Sequence, residues 1–205
     1  YGYNDIPIFI TETGQYSGTP SSQPPVMVSP EFHSERKQAL DLYKIYIYSL
    51  TNGVKKIFWV TLTEWRNFGG QPNGVFDNVG LINNPQNDGQ SHKKLAYYTY
   101  KKMVEVLDGS DWNNIQTTHE SDGIYIYKFT KQGKPIWVVW NDNLQEKQVT
   151  ISAIDSSQVK VTEAVPKYES GKDVTDYNTA FKTETKAVQN GQVTIPLGAT
   201  PLFIE

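Results

Sequence analysis

Thr11-Glu12-Thr13-Gly14 sets one carboxylate between two hydroxyl side chains, directly after the apolar run Ile6-Pro7-Ile8-Phe9-Ile10. A glutamate held at a fixed strand end is ionised at neutral pH and can reach the anomeric carbon of a sugar. Double displacement at that carbon needs two carboxyl groups about 5–5.5 Å apart, one as nucleophile and one as acid and base. Thr11 and Thr13 offer hydroxyls to orient Glu12, whereas an unplaced acid at a strand exit is simply solvated. A second carboxylate, Glu64, lies in Thr63-Glu64-Trp65, just past Lys56-Ile57-Phe58-Trp59-Val60-Thr61-Leu62. It is suited to hydrogen-bonding a sugar hydroxyl or to meeting water. Trp59 sits inside that run and Trp65 at its exit. Indole faces stack on sugars, but they also fill cores. By strand alternation Trp59, Thr61 and Thr63 share one face, which Trp65 continues if the strand stays regular.

The elements that must position these groups follow from pattern. The run 6–10 reads as a strand covered on both faces, as in a parallel sheet flanked by helices. Its polar end is where such sheets carry their chemistry. A Pro-rich loop follows over 15–28. Ser29-Pro30-Glu31 predicts a helix start, with Ser as N-cap, Pro at the first helical position and an acid in the first turn. Apolar residues then recur every three or four positions over 31–51, and Gly53 ends the helix. The strand 56–62 comes next, then a Gly- and Asn-rich loop over 66–90, of a length that tends to be functional. Ser91 predicts the cap of a second helix through Leu107, with Gly109 as its stop. From Ser110 short strands at close spacing predict an antiparallel arrangement: a hairpin of 123–130 and 135–140 turning at 131–134, then 148–152, 158–163, 180–187, 192–197 and 201–205.

Composition limits the function classes. The 205 residues suffice for one large domain or two small ones, and 38% hydrophobic with 20% charged residues describes a folded chain. The net charge of -3 argues against a general nucleic-acid binder. No apolar run approaches the roughly 18 residues of a membrane span. Without cysteine, disulfides, zinc fingers and thiol catalysis are excluded. The three His are scattered, and Asp77, Asn78, Asn87 and Asp88 lack the alternating ligand pattern of a calcium loop, so no metal and no cofactor is expected. Aromatics are abundant at 13%, with thirteen Tyr and five Trp. Trp137 and Trp140, three apart on one strand, point to opposite faces and cannot make a single coplanar platform.

Residues 7–14 resemble the seventh barrel strand of the clan A retaining glycoside hydrolases, the cellulase-, mannanase- and xylosidase-like families. Glu35-Arg36-Lys37-Gln38-Ala39 and Gly53-Val54-Lys55-Lys56-Ile57-Phe58-Trp59 are similar to their seventh helix and eighth strand. Gly80-Leu81-Ile82 and Lys94-Leu95-Ala96-Tyr97 resemble the approach to their last helix, and Pro201-Leu202-Phe203-Ile204-Glu205 the end of an appended sandwich. The resemblance implies α/β plus all-β architecture: the last two β/α units of a (β/α)8 barrel over 1–109, then an antiparallel β-sandwich over 110–205. It implies a retaining O-glycosidase acting on β-linked oligo- or polysaccharides, with Glu12 as nucleophile and with Trp59, Trp65 and Glu64 on the substrate. The family's acid/base lies on a fourth strand, which this chain lacks, so the chain alone is expected to be inactive. A preceding barrel segment, on the same or a separate polypeptide, is the expected partner. The alternative is a non-catalytic carbohydrate-binding or structural accessory β-sandwich protein, marked in the binding case by an exposed row of coplanar aromatics.

Overall fold

The computed structural model describes residues 6–21, 31–70 and 72–205. They form a mixed, sheet-rich fold with few helices, divided into two compact units. One holds the residues up to Lys101 together with Tyr168–Asp176, and the other holds Lys102–Lys167 and Tyr177–Glu205. The division runs inside a helix, ahead of the border expected at residue 109, and it returns a late segment of the chain to the first unit.

In the first unit β1 (Ile8–Thr13) and β2 (Val54–Trp59) pair in parallel, joined through helix α1 (Glu35–Thr51). Ile10 lies opposite Ile57, and Thr13 opposite Trp59. Helix α1 buries Ala39, Leu42, Tyr43, Tyr46 and Ile47, the stripe that its three- and four-residue spacing encodes. It starts later than expected: Ser34 is the N-cap, its hydroxyl accepting from the Lys37 backbone N–H at 3.1 Å. Upstream, His33 exchanges backbone hydrogen bonds with Gly18 at 2.6 and 3.0 Å, which keeps the chain extended there. The expected cap Ser29 and Pro30 lie outside the described residues. The strands themselves are not covered on both faces. Ile8 is 58% exposed, Phe9 47% and Phe58 53%.

After β2 come a single turn, α2 (Pro85–Asp88), and α3 (Leu95–Leu107). Helix α3 begins at Leu95, not at Ser91. Residues 92–94 are tied into extended backbone by bonds from Asn83 to His92 and from Lys94 to Leu81, both 2.9 Å. The first free N–H of α3, on Leu95, donates to the Glu35 carboxylate at 2.9 Å. That carboxylate also accepts from Ser170 Oγ (2.8 Å) and the Gly171 N–H (2.7 Å), across separations of 135 and 136 residues. Glu35 thus satisfies helix-end donors that no local side chain caps.

The second unit is built from antiparallel pairs. Its strands are β3 (Gln116–Ser121), β4 (Ile124–Lys131), β5 (Lys134–Asn141), β6 (Lys147–Ser152), β7 (Gln158–Glu163), β8 (Thr183–Ala187), β9 (Gln192–Leu197) and β10 (Leu202–Ile204). Six of them form a sheet in the order β3-β4-β5-β10-β7-β8, while β6 and β9 pair separately. Ile126, Trp137, Val139, Val161 and Ile204 of the larger sheet share one apolar cluster with Ile151, Val193 and Leu197 of the smaller. The β4–β5 hairpin closes through Gln132 and Gly133, both at positive φ (51° and 77°), as a tight two-residue hairpin turn requires. Trp140, on the face opposite Trp137, stacks on Tyr125 at 4.8 Å. No helix among the described residues is long and apolar enough to cross a membrane.

Candidate functional site

The parallel pairing of β1 and β2 brings their carboxyl ends together, and the Val60 N–H donates to Thr13 O at 2.8 Å just past the ladder. Glu12 occupies the second-to-last position of β1 and is exposed. Among the described residues its carboxylate forms no hydrogen bond or ion pair, and neither Thr11 nor Thr13 orients it.

Trp59, at the last position of β2, is half-buried. Its indole N–H donates to Val79 O at 3.0 Å, and its ring lies against Tyr46 of α1, centroids 6.5 Å apart. Tyr46 in turn meets the edge of Tyr100 at 5.2 Å. Burial, with Tyr100 adding to it, holds the Tyr46 hydroxyl well above the usual phenol range. Trp59 therefore packs on the helix side of the sheet, while Phe58 points the other way.

Glu64 is not an open rim carboxylate. It is 4% exposed and paired with the ammonium of Lys94, which is 3% exposed. Lys94 Nζ also donates to Ser17 Oγ (2.9 Å) and Asn78 O (3.1 Å), and Glu64 Oε2 accepts from the Asn84 N–H at 3.3 Å. A buried ion pair tolerates desolvation only when its remaining valences are filled in this way. The arrangement binds the loop after β1 to the loop after β2. Gly80 makes room for it, since a Cβ there would overlap the backbone N and Cα of Glu64.

Trp65 is 38% exposed and sits in a cluster that the sequence did not single out. Phe68 lies 4.4 Å from it and Phe76 5.7 Å, with 4.8 Å between the two phenylalanines. Asp77, considered above as a metal ligand, organises this loop instead. Its carboxylate is buried and accepts three backbone N–H groups: Asn67 (3.0 Å), Phe68 (3.1 Å) and Gly74 (3.1 Å). The spacing of Phe68 and Phe76 around a short polar loop was the one available signal for this cluster. Among the described residues no group of three or more His, Asp or Glu converges to hold a metal ion.

A polar cavity of about 760 Å³ opens in the same unit. His33, Glu35, Arg66, Asn83, His92 and Lys172 are among its walls, and Glu12 is not. A shallower cleft beside it is floored by Trp65 and Phe68 and rimmed by Arg66, Asn84 and Gln86.

With this geometry the chain can be compared with known proteins. No family model matches it, and no curated protein matches it. Solved glycoside hydrolases do. A GH30 endoxylanase from Clostridium papyrosolvens aligns over 96% of this chain and 40% of its own, with TM-score 0.53 at 13% identity. A family 30 subfamily 8 xylanase from Clostridium acetobutylicum gives 0.49 at 15% identity over 97% and 42%, and a family 86 β-porphyranase from Bacteroides plebeius gives 0.47 at 13% over 97% and 34%. The likeness is one of fold alone. This chain spans about two fifths of the length of the endoxylanase that it matches.

Proposed function

We infer that this chain is the carboxyl-terminal part of a retaining O-glycoside hydrolase acting on β-linked oligo- or polysaccharides. In this reading the first unit supplies the last two β/α units of a (β/α)8 barrel, and the second is a β-sandwich. The observation that carries the reading is the place of Glu12: exposed, without a hydrogen bond or ion pair among the described residues, at the carboxyl end of a parallel strand beside a second strand whose exit leads to Trp65. The fold likeness to an endoxylanase supports it. The uncovered apolar residues of β1 and β2 support a further barrel segment as their cover, since a sheet with exposed apolar faces and open edges invites pairing.

In the completed site Glu12 attacks the anomeric carbon as the glycosidic C–O bond breaks. A carboxylic acid from the further segment protonates the departing oxygen. The glycosyl ester on Glu12 is then hydrolysed by water, with the second group acting as base, giving net retention. Trp65 is left as the ring for the sugar, because Trp59 faces α1, and Glu64 acts through its ion pair with Lys94 rather than on substrate. The accessory-binding alternative draws no support from the second unit. There Trp137, Trp140, Tyr127 and Phe129 are each 3% exposed or less, so no coplanar row of these rings faces solvent.

The test compares this chain and the complete enzyme on an activated aryl β-glycoside. The complete enzyme turns over. The isolated chain does not, and Glu12→Ala lowers turnover by roughly 10⁴-fold or more, as loss of a nucleophile does. Azide, which can replace the lost nucleophile, then yields a glycosyl azide of inverted configuration. Full activity in Glu12→Ala would show that the nucleophile lies elsewhere.

A further inference from the structure

Gln38 stands in the buried stripe of α1, one turn before Leu42 and two before Tyr46, and is itself fully buried. An apolar side chain would fill that place without the cost of taking an amide out of water, so the amide is there for its hydrogen bonds. Its Nε2 donates to Gln15 O at 2.8 Å, to Val79 O at 3.1 Å and to Gly80 O at 3.3 Å. An amide nitrogen carries two hydrogens, so the shortest bond takes one, and Val79 and Gly80 share the other. Gln15 follows β1, whereas Val79 and Gly80 lie in the loop after β2. One side chain rooted in α1 thus ties the segment beyond Glu12 to the segment beyond the neighbouring strand.

The residues between Glu12 and Gln15 are held in the same direction. Thr13 O accepts from the Val60 N–H at 2.8 Å. A Cβ on Gly14 would come within 2.8 Å of Val60 O, so any side chain there would push the two strand exits apart. Val79 O, which accepts from Gln38, accepts from the Trp59 indole as well, at 3.0 Å. Glu12 has no hydrogen bond or ion pair of its own among the described residues, so its carboxylate is placed by its backbone, and the backbone by these ties.

We propose that Gln38 is a positioning residue for Glu12, its single amide holding the two strand exits in the register that presents the carboxylate to the reacting carbon. The proposal rests on the nucleophile reading of Glu12 and names a residue which that reading does not use. Gln38 is fully buried and touches no substrate, so it acts through the strand exits. Attack needs the reacting atoms about 3–3.5 Å apart, and a misplacement of about 1 Å can cost about 10²-fold in rate.

The test uses the complete enzyme with an activated aryl β-glycoside and reads the first release of the aryl group, the step in which Glu12 attacks. Gln38→Met keeps the length of the side chain and loses both donors. It is expected to slow that step about 10- to 100-fold, with the half-saturating substrate concentration nearly unchanged. Gln38→Asn keeps a buried amide but draws it back by one methylene, and its rate is expected to fall between. It reads the same role if Gln38→Met fails to fold. The deciding measurement is made with azide in the Glu12→Ala background. Azide is a free nucleophile that no strand presents, so glycosyl azide is expected to form equally fast with and without the substitution at Gln38. An azide reaction slowed as much as the native one overturns the positioning role, because a merely structural defect slows both. An unchanged first step in both Gln38 variants overturns it too. In the 205-residue chain, nitrogen-15 relaxation is expected to show lower backbone order at Gly14 and Tyr16 in the Gln38 variants, with the β4–β5 hairpin unchanged. Unaltered order at both amides overturns the role. Full activity in Glu12→Ala overturns the nucleophile reading and this role with it, whereas failure of the role alone leaves Glu12→Ala inactive.

Discussion

The strands β1 and β5 carry similar apolar content and meet opposite fates. In β5 the run from Ile136 to Trp140 is buried on both faces, with every residue 5% exposed or less. In β1, Ile8 and Phe9 are about half exposed, and their neighbour Phe58 on β2 is as open. A hydrophobic strand sequence specifies a need for cover, and cover is a property of the neighbours. In the second unit the smaller sheet covers the Trp137 and Val139 face of β5. In the first unit Trp59 packs against Tyr46 of α1, while Phe58 stays 53% exposed.

The sharpest test of that contrast replaces one phenylalanine in each unit. Phe203 is fully buried, on a strand flanked by β5 and β7. Phe203→Ala should cost about 3–5 kcal/mol in chemical denaturation. Phe58→Ala should stay within about 0.5 kcal/mol of the parent. Equal losses would mean that the β2 face is covered in solution. The first unit has its own point of concentration. Removing one partner of the buried pair, by Lys94→Met or Glu64→Gln, should cost about 3–5 kcal/mol, and the double substitution should recover part of it. A purely additive double variant would show that the two groups stabilise independently.

Smaller effects refine the picture. Asp77→Asn weakens charge-assisted bonds to three N–H groups and should cost about 1.5–3 kcal/mol, measured by thermal unfolding. The smallest effect lies at an exposed acid of the second unit. The side-chain amide of Asn114 (2.6 Å) and the backbone N–H of Asn113 (3.1 Å) hold the Asp111 carboxyl below its ordinary range. Its native pKa is depressed, so its contribution is present above the unfolded value, about 3.9, and fades as pH falls through the native one. A carbon-13 titration should find Asp111 protonating later than a free aspartate on acidification. The stability gap to Asp111→Ala should close along the same branch.

Much of the backbone was legible in the sequence, because periodicity is a local property. Strand, helix, strand and helix stand near their expected places in the first unit, and the hairpin turn at Gln132-Gly133 follows from local chemistry. The errors share a cause. Ser91 reads as a cap, yet the donor at the start of α3 is satisfied by Glu35, which lies 60 residues away. Strand β3 escaped notice because Gln-Thr-Thr-His-Glu-Ser is exposed at every position and carries no apolar alternation. At the candidate site, the position of Glu12 could be read from a strand ending, whereas the strand expected over 56–62 stops at Trp59 and leaves Trp65 in the loop beyond it. The burial of Glu64 could not, because its partner Lys94 arrives through a loop whose course no periodicity encodes. Phe68, Phe76 and Asp77 stayed hidden for the same reason.

Glu35 carries a further consequence, this one in time. It sits near the start of the chain, and its carboxylate is completed by Ser170 and Gly171. During synthesis those last partners emerge 136 residues later. At ribosomal speeds of roughly 5–20 residues per second, that delay is about 7–27 seconds. For the part of that interval after α3 has been made, α1 and α3 stand with one of their shared clasps unfastened. The second unit has most of its strands out of the ribosome by the time the first can lock.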